Sequence, residues 1–423
     1  MFTIKCGGKL FYMTLFLFFL ASCAISDDTD EITLLDKKMD NILKKYDIPG
    51  LSVLVLKNNQ IVYEHYSGFS DIERQIPVTP ETCYRIASIS KFAVATALMR
   101  LFEEKRLELN EDVSRYLGFT FRNPKFPDQI ITLTHLLTHT SGLSDSDAYF
   151  RFLMDTYDRK NPSIISLFTE KSAYYATDTW NGHAPGAWFE YSNLGFGVIG
   201  NLIEKVSGQR FDIYMKGHLL EPLGITGSFN VHDLQNIDHL SVLYRREELD
   251  INKPWIPQTD HYKGIRPPPR QDILNYSIGH NGIEFGPQGS LRASARDLAK
   301  ILSLHLNNGS VGKRHLLSSE SVELMQHVHF GGDETQGYKK MGLSTHVVTD
   351  LVPGETLYGH SGDAYGLHSL MYFNPEKNYG FVVIMNGAVV EEGSSGFLTV
   401  EEEITRLIFS VLGNQLLARA IGN

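Results

Sequence analysis

Cysteine is scarce: three in 423 residues, at Cys6, Cys23 and Cys83, too few for a disulfide framework, so the fold must rest on a buried core. Positive charge is also short. Lys and Arg number 39 against 49 Asp and Glu, a net charge of −10, and with no basic excess nothing speaks for a nucleic-acid groove. Repeats and low-complexity tracts are absent, and no apolar run is long enough to cross a bilayer. What is present is a globular composition, 42% hydrophobic with 36 Gly and 16 Pro, which excludes disorder and collagen-like repeats. At roughly 150 residues per domain, the length allows two or three domains or one two-lobed molecule.

The N-terminus stands apart. Lys5 and Lys9 precede an apolar run from Phe11 to Leu20 that ends in Leu20-Ala21-Ser22-Cys23. That run has the length of a signal-peptide core, and its end resembles the lipobox of bacterial lipoproteins, in which the peptide is cut before a cysteine that takes the lipid. The expectation is a signal over 1–22, a solvated tether over 23–31 with Asp27, Asp28, Asp30 and Glu31, and an exported protein. It would be anchored through Cys23 to a membrane facing the periplasm or cell exterior. Loss of Cys6 and modification of Cys23 leave Cys83 alone, without an intrachain partner. Removal of Lys5 and Lys9 takes the charge to −12.

Apolar spacing predicts a helix from Ile32 to Lys45, stopped by Pro49-Gly50. Two strand-like runs follow, Leu51 to Leu56 and Gln60 to Tyr66, joined by Asn58-Asn59 as a hairpin with positive-φ turn residues. A second hairpin is predicted from Leu367 to Asn374 and from Tyr379 to Asn386, then a helix from Val400 to Ile421. Between these ends, Lys91 to Leu107, Leu194 to Val206 and Ala293 to Asn307 have helical spacing. The pattern predicts an α/β (α+β) fold, with an antiparallel sheet closed by both ends of the chain and a mostly helical lobe inserted. The sheet lobe takes 32–87 and 288–423, the helical lobe 88–287. From Asn230 to Asn281 regularity dissolves among prolines, which reads as an active-site wall or lid.

Three elements carry chemistry. Ser88 and Lys91 lie one helical turn apart at a predicted helix start, so the amine can reach the hydroxyl. A serine becomes nucleophilic once a base takes its proton, and a helix N-terminus favours the developing negative charge. Taken alone the pair reads more simply as an N-cap and a solvated lysine. Tyr191-Ser192-Asn193 supplies a phenol able to pass a proton and an amide able to bond both a lysine and a substrate carbonyl. His360-Ser361-Gly362 leads into the second hairpin, where a glycine lets the strand approach a ligand and a neighbouring amide serve an oxyanion.

With these motifs in this order, the chain resembles the serine β-lactamase-like and penicillin-binding-protein family: class C β-lactamases, D-alanyl-D-alanine carboxypeptidases and related esterases. The flanks Ile131 to Leu143, Tyr191 to Gly208 and Gly289 to Ala299 support the likeness, which runs from about residue 32 through the last helix. The resemblance implies a β-lactamase/transpeptidase-like fold with Ser88 between the lobes, forming an acyl-enzyme later cleaved by water. It implies a proton-accepting pair, Lys91 and Tyr191, one of them deprotonated by burial and a neighbouring positive charge. It implies that Asn193 orients Lys91 and substrate, that His360 and Ser361 line the site, and that the N–H groups of Ser88 and Asp363, the latter after Gly362, form the oxyanion hole. No cofactor or metal is required, and the partner is a small-molecule or peptide substrate. Histidine at 360, where class C β-lactamases usually carry lysine, points to the carboxypeptidase branch acting on cell-wall peptides. An esterase, a weak β-lactamase or a penicillin-binding sensor without turnover is the alternative. Gly342-Leu343-Ser344-Thr345 stands where family members often have Gly-Leu-Gly-Trp.

Other matches lack context. Ser310-Val311-Gly312-Lys313 lies in a turn, and Tyr372-Phe373-Asn374 ends a strand. The Gly195 to Gly200 Gly-x-Gly-x-x-Gly pattern follows no strand, and His135 with His139 lacks the glutamate of a metalloprotease helix. Gly359 to Asp363 misses the last glycine of a nucleophile elbow.

Overall fold

The computed structural model describes residues 32–246, 253–332 and 340–409; the expected signal, the tether with Cys23 and the end of the last helix lie outside the described residues. Strands β1 (Gly50–Lys57) and β2 (Gln60–Asp71) pair antiparallel around Asn58 and Asn59, which hold φ of 49° and 62°. Asparagine enters that left-handed region more readily than most residues because its short polar side chain bonds locally. The sheet continues with β3 (Ile76–Pro77), β4 (Phe330–Gly331), β5 (Lys340–Gly342), β6 (Thr345–Val348), β7 (Leu357–Ala364), β8 (Leu367–Asn374) and β9 (Tyr379–Met385). Its order is β4-β5-β6-β7-β8-β9-β1-β2-β3, antiparallel throughout. β1 lies against β9, so the two ends of the chain close the sheet as predicted.

Alternate side chains split this sheet between two cores. Leu51, Val53 and Val55 of β1 and Phe381, Val383 and Met385 of β9 pack on Leu35 and Met39 of a helix at 32–45 and on Val400 and Ile404 of a helix at 399–409. Leu54, Leu56, Val382 and Ile384 face the larger core on the other side. Both faces are covered, so β1 and β9 are buried along their whole length and read as mostly apolar runs, broken in β1 by Ser52 and Lys57.

The larger core holds α1 (Ile89–Glu103), α2 (Leu133–Leu137), α3 (Asp147–Tyr157), α4 (Asn193–Ser207) and α5 (Ala295–Leu306). α1 is buried around nearly its whole circumference, the signature of a helix enclosed by protein, and packs on β7, β8 and α4. α5 begins at Ala295 rather than at Ala293, because Arg292–Ser294 forms a strand with Cys83–Arg85. Ser294 then caps the helix, its Oγ accepting from Asp297 N. The glycines of the dinucleotide-like pattern sit inside α4 and serve packing: a Cβ on Gly197 would lie 2.4 Å from Ile283 Cγ1, and one on Gly200 would lie 2.5 Å from Gly282 O. Among its described residues the stretch from 230 to 281 is irregular as expected, apart from short 3₁₀ turns and a strand pair, Leu243–Arg245 with Ile256–Thr259.

Candidate active site

Ser88 occupies the N-cap of α1 but makes no capping hydrogen bond with its side chain. The residue before it, Ala87, holds φ of 50°, a left-handed conformation that costs an alanine on the order of 1–2 kcal/mol and is kept only where surrounding structure enforces it. The hydroxyl instead faces Lys91, whose Nζ lies 3.0 Å from Ser88 Oγ, 2.8 Å from Asn193 Oδ1 and 2.6 Å from the Gln288 carbonyl oxygen. Lys91 is fully buried, and burial pulls its pKa down to about 7 against a weaker upward pull from Asp145. The expected neighbouring positive charge is therefore not the cause; desolvation is, and the charge nearest in effect is an opposing carboxylate.

A neutral amine has two N–H donors and one lone pair. Asn193 Oδ1 and the Gln288 carbonyl can only accept, which uses both donors and leaves the lone pair for the Ser88 O–H. Tyr191 lines the Ser88 cavity on both sides, with its ring centroid 4.8 Å from Lys91 Nζ. Asn193 is the first residue of α4.

His360 is 1% exposed and lines the cavity with Ser88 and Ser361. Its Nδ1 lies 2.6 Å from the Ser361 carbonyl oxygen. A carbonyl can only accept, so Nδ1 carries the hydrogen. Burial, then His346 at a ring distance of 4.0 Å and Lys91, push its pKa well below the usual histidine value. His360 is thus neutral rather than partly protonated as expected from its unperturbed value. Gly362 shows why a glycine follows: a Cβ there would lie 2.5 Å from Ile86 O and 3.2 Å from Ser88 N, so only a bare Cα lets β7 reach the start of α1. Asp363 lines the same cavity, its carboxylate 3.0 Å from His368 Nδ1.

The Beta-lactamase family profile matches residues 35–400. The chain belongs to that family. Protein flp of Staphylococcus aureus (strain N315) is 25% identical over 352 residues, 83% of this chain and 62% of the relative, so the chain spans less than two thirds of that relative's length. Among solved structures, the octameric penicillin-binding protein homologue from Pyrococcus abyssi matches with a TM-score of 0.68 at 25% identity, over 90% of this chain and 77% of that one. EstCE1, a hydrolase with promiscuous acyltransferase activity, matches in fold with a TM-score of 0.66 at 22% identity, over 92% and 100%. The fold is thus that of the β-lactamase and penicillin-binding serine hydrolases.

Four groups around this Beta-lactamase-family site escaped the sequence. Asp145 accepts from Asn193 N at 3.0 Å, Asn193 Nδ2 at 2.8 Å, Leu194 N at 2.9 Å and Ser192 Oγ at 3.1 Å. Its negative charge suits a helix N-terminus, and its hold on Nδ2 turns Asn193 Oδ1 towards Lys91. His139 accepts from Ser192 N at 3.1 Å and stacks on Tyr191 at 4.3 Å, so this histidine of the rejected metal pair supports the tyrosine. Gln288 contributes a main-chain carbonyl, which no side-chain motif announces. His346, beside His360, has its pKa lowered to about 3 by burial first and Lys91 second. Where family members often have glycine, Ser344 takes φ of 53°, the backbone shape that glycine supplies without strain.

Two walls of the cavity come from the stretches expected to set specificity, around residues 230 to 290 and 140 to 180. From the 230–281 stretch, Arg245 lines the Ser88 cavity, joined by Gln288, Gly289 and Ser290 beyond that stretch. α3 contributes more, through Tyr149, Phe150, Leu153 and Tyr157.

Proposed function

We propose that the protein is a serine peptidase of the D-alanyl-D-alanine carboxypeptidase kind, acting on cell-wall peptides through an acyl-enzyme on Ser88. The observation that carries the reading is the buried Lys91 amine, 3.0 Å from Ser88 Oγ with a pKa of about 7. In acylation the Ser88 oxygen attacks the scissile carbonyl carbon and its proton passes to the Lys91 lone pair. The carbonyl oxygen takes negative charge and is received by the N–H groups of Ser88 and Asp363. The carbon–nitrogen bond then breaks, with the proton returned to the departing amine by way of Tyr191. Water repeats the sequence on the acyl-serine, releasing acid and restoring the hydroxyl.

Support for the peptidase branch over the β-lactamase branch comes from His360, which burial keeps neutral where a lysine would present full charge. Ser88→Ala should abolish both covalent labelling by a fluorescent penicillin and hydrolysis of a D-alanyl-D-alanine peptide, read by a mass shift on Ser88 and by free D-alanine. Activity surviving in that variant removes the mechanism. A lasting adduct with no released product in the wild type would favour a penicillin-binding sensor, and turnover of an ester alone would favour an esterase. The same reading puts the enzyme on the outer face of a membrane, held by a lipid on Cys23; support is the run from Phe11 to Cys23. Mass spectrometry of the membrane fraction should find a lipid-modified Cys23 as the first residue.

A further inference from the structure

Helix α3 is apolar on two sides. Its inner face buries Ala148, Tyr149 and Phe152, as the core side of a surface helix does. Its outer face carries Phe150, Leu153, Met154 and Tyr157, three and four residues apart, which sets them in one row. Phe150, Met154 and Tyr157 are 49%, 50% and 41% exposed, and Leu153 is half-buried. Apart from the buried Thr156, the polar residues are confined to a narrow seam, Asp147, Arg151 and Asp155.

Exposed apolar side chains scattered singly are ordinary; a continuous row is not. This row starts inside the catalytic cleft. Phe150, Leu153 and Tyr157 line the cavity of about 390 Å³ that opens on Ser88 and Asn193, and Met154 continues the row outside it. The charged groups of the cavity, Arg85, Arg245 and Asp363, come from other elements. Arg85 is engaged, its Nη2 donating to Ser290 Oγ at 2.7 Å and its guanidinium lying 5.1 Å from the Tyr365 ring centroid. The α3 wall itself offers Tyr149, Phe150, Leu153 and Tyr157 and no charge. Such a surface loses its contact with water only when an apolar chain lies along it, and continuity with the cavity makes that chain part of the substrate.

We propose a further activity for this site: hydrolysis of esters and thioesters that carry an aliphatic chain, with the chain lying along the outer face of α3 past Phe150, Met154 and Tyr157. The inference rests on the serine-hydrolase reading above and widens it from cell-wall peptides to amphiphilic acyl compounds. The bond changes are those already given. The acyl carbon exchanges its bond to oxygen or sulfur for one to Ser88 Oγ, the alcohol or thiol departs with the proton, and water then releases the acid. The row from Phe150 to Tyr157 spans about 10 Å along the helix axis, the length of an extended chain of about eight carbons. Each methylene laid against it leaves water, which is worth about two- to fourfold in kcat/KM.

Two series of thioesters, used with the full-length protein below their micelle-forming concentrations, test this. One lengthens the acyl group from butanoyl to octanoyl on 2-mercaptoethanol; the other keeps an acetyl group and lengthens the thiol from butanethiol to octanethiol. In at least one series kcat/KM should rise about tenfold or more from the shortest member to the longest. Met154 is exposed and lies outside the cavity, so Met154→Gln does not threaten the fold. It should leave the shortest member unchanged and lower the longest by about threefold or more, and Phe150→Gln should flatten the rise. No dependence on chain length in either series, or a rise that survives in both variants, overturns the inference. Calorimetry on Ser88→Ala reads the row without turnover: the longest member of the responsive series should bind about tenfold tighter than the shortest, and adding Met154→Gln should narrow the difference. Equal affinities in both series overturn the row, whereas failure of the wild type to cleave any thioester counts against the hydrolase reading and leaves calorimetry to decide the row.

Discussion

At Lys91 one side chain serves reactivity at the expense of stability. Its amine loses water on burial, and that loss, rather than a neighbouring cation, makes it a base near neutral pH. The rate constant kcat/KM should therefore rise with pH through about 7 as the amine loses its proton; a pH profile on a neutral substrate checks this, and an acid limb near pH 4 to 5 would assign the step to a carboxylate instead. Folding depends on pH in the same direction. The native pKa of about 7 lies below the ordinary value of 10.5, so between these values the unfolded chain binds the extra proton and native stability increases with pH. Lys91→Met should abolish hydrolysis and, relative to the wild type, be more stabilising at about pH 7 than at about pH 9.5, by roughly 2–3 kcal/mol. Urea unfolding of both proteins at the two pH values measures it. An equal effect at both would show that burial does not depress this amine.

Elements deliver those residues. α1 fixes Ser88 and Lys91 on one turn, which local spacing already shows; α4 fixes Asn193, and its aim depends on Asp145, 48 residues earlier. Asp145→Asn keeps one oxygen but loses half of its acceptor capacity, so kcat should fall about 10- to 100-fold while stability drops by about 1–3 kcal/mol. Steady-state kinetics beside thermal melting separate the two effects, and unchanged kcat would remove Asp145 from the positioning of Asn193. On β7, Gly362→Ala would set a methyl 2.5 Å from Ile86 O and 3.2 Å from Ser88 N. The strand must back away from α1, and kcat should fall about 10²- to 10³-fold, as for loss of an oxyanion donor. The pattern of histidine followed two residues later by glycine recurs at His280 and His329, and in the sequence only the hairpin that follows His360 sets that copy apart. Its strand is the one that runs past the start of α1.

On the scale of the whole molecule, the irregular chain around Asp260 is pinned to the sheet side by the buried Arg292 ion pair. Arg292→Met would leave the Asp260 carboxylate buried without a partner and should cost about 3–5 kcal/mol, read from urea unfolding, with Asp260→Leu added recovering most of it. No recovery in the double variant would mean that Arg292 acts through packing alone.

Much was legible because it is local. Asn58-Asn59 dictates a tight hairpin, the apolar runs at both ends dictate buried strands, and one helical turn puts Lys91 beside Ser88. The period-two and 3.6-residue repeats depend only on backbone geometry, so a single sequence carries them. The tertiary structure alone decided how deeply Lys91 is buried, which neutralises it, and which remote acceptors, Asn193 Oδ1 and the Gln288 carbonyl, occupy its two donors. It also decided that Arg292 and not Arg85 receives Asp260. Desolvation and charge pairing are sums over groups that only folding brings together, and no spacing along the chain encodes them.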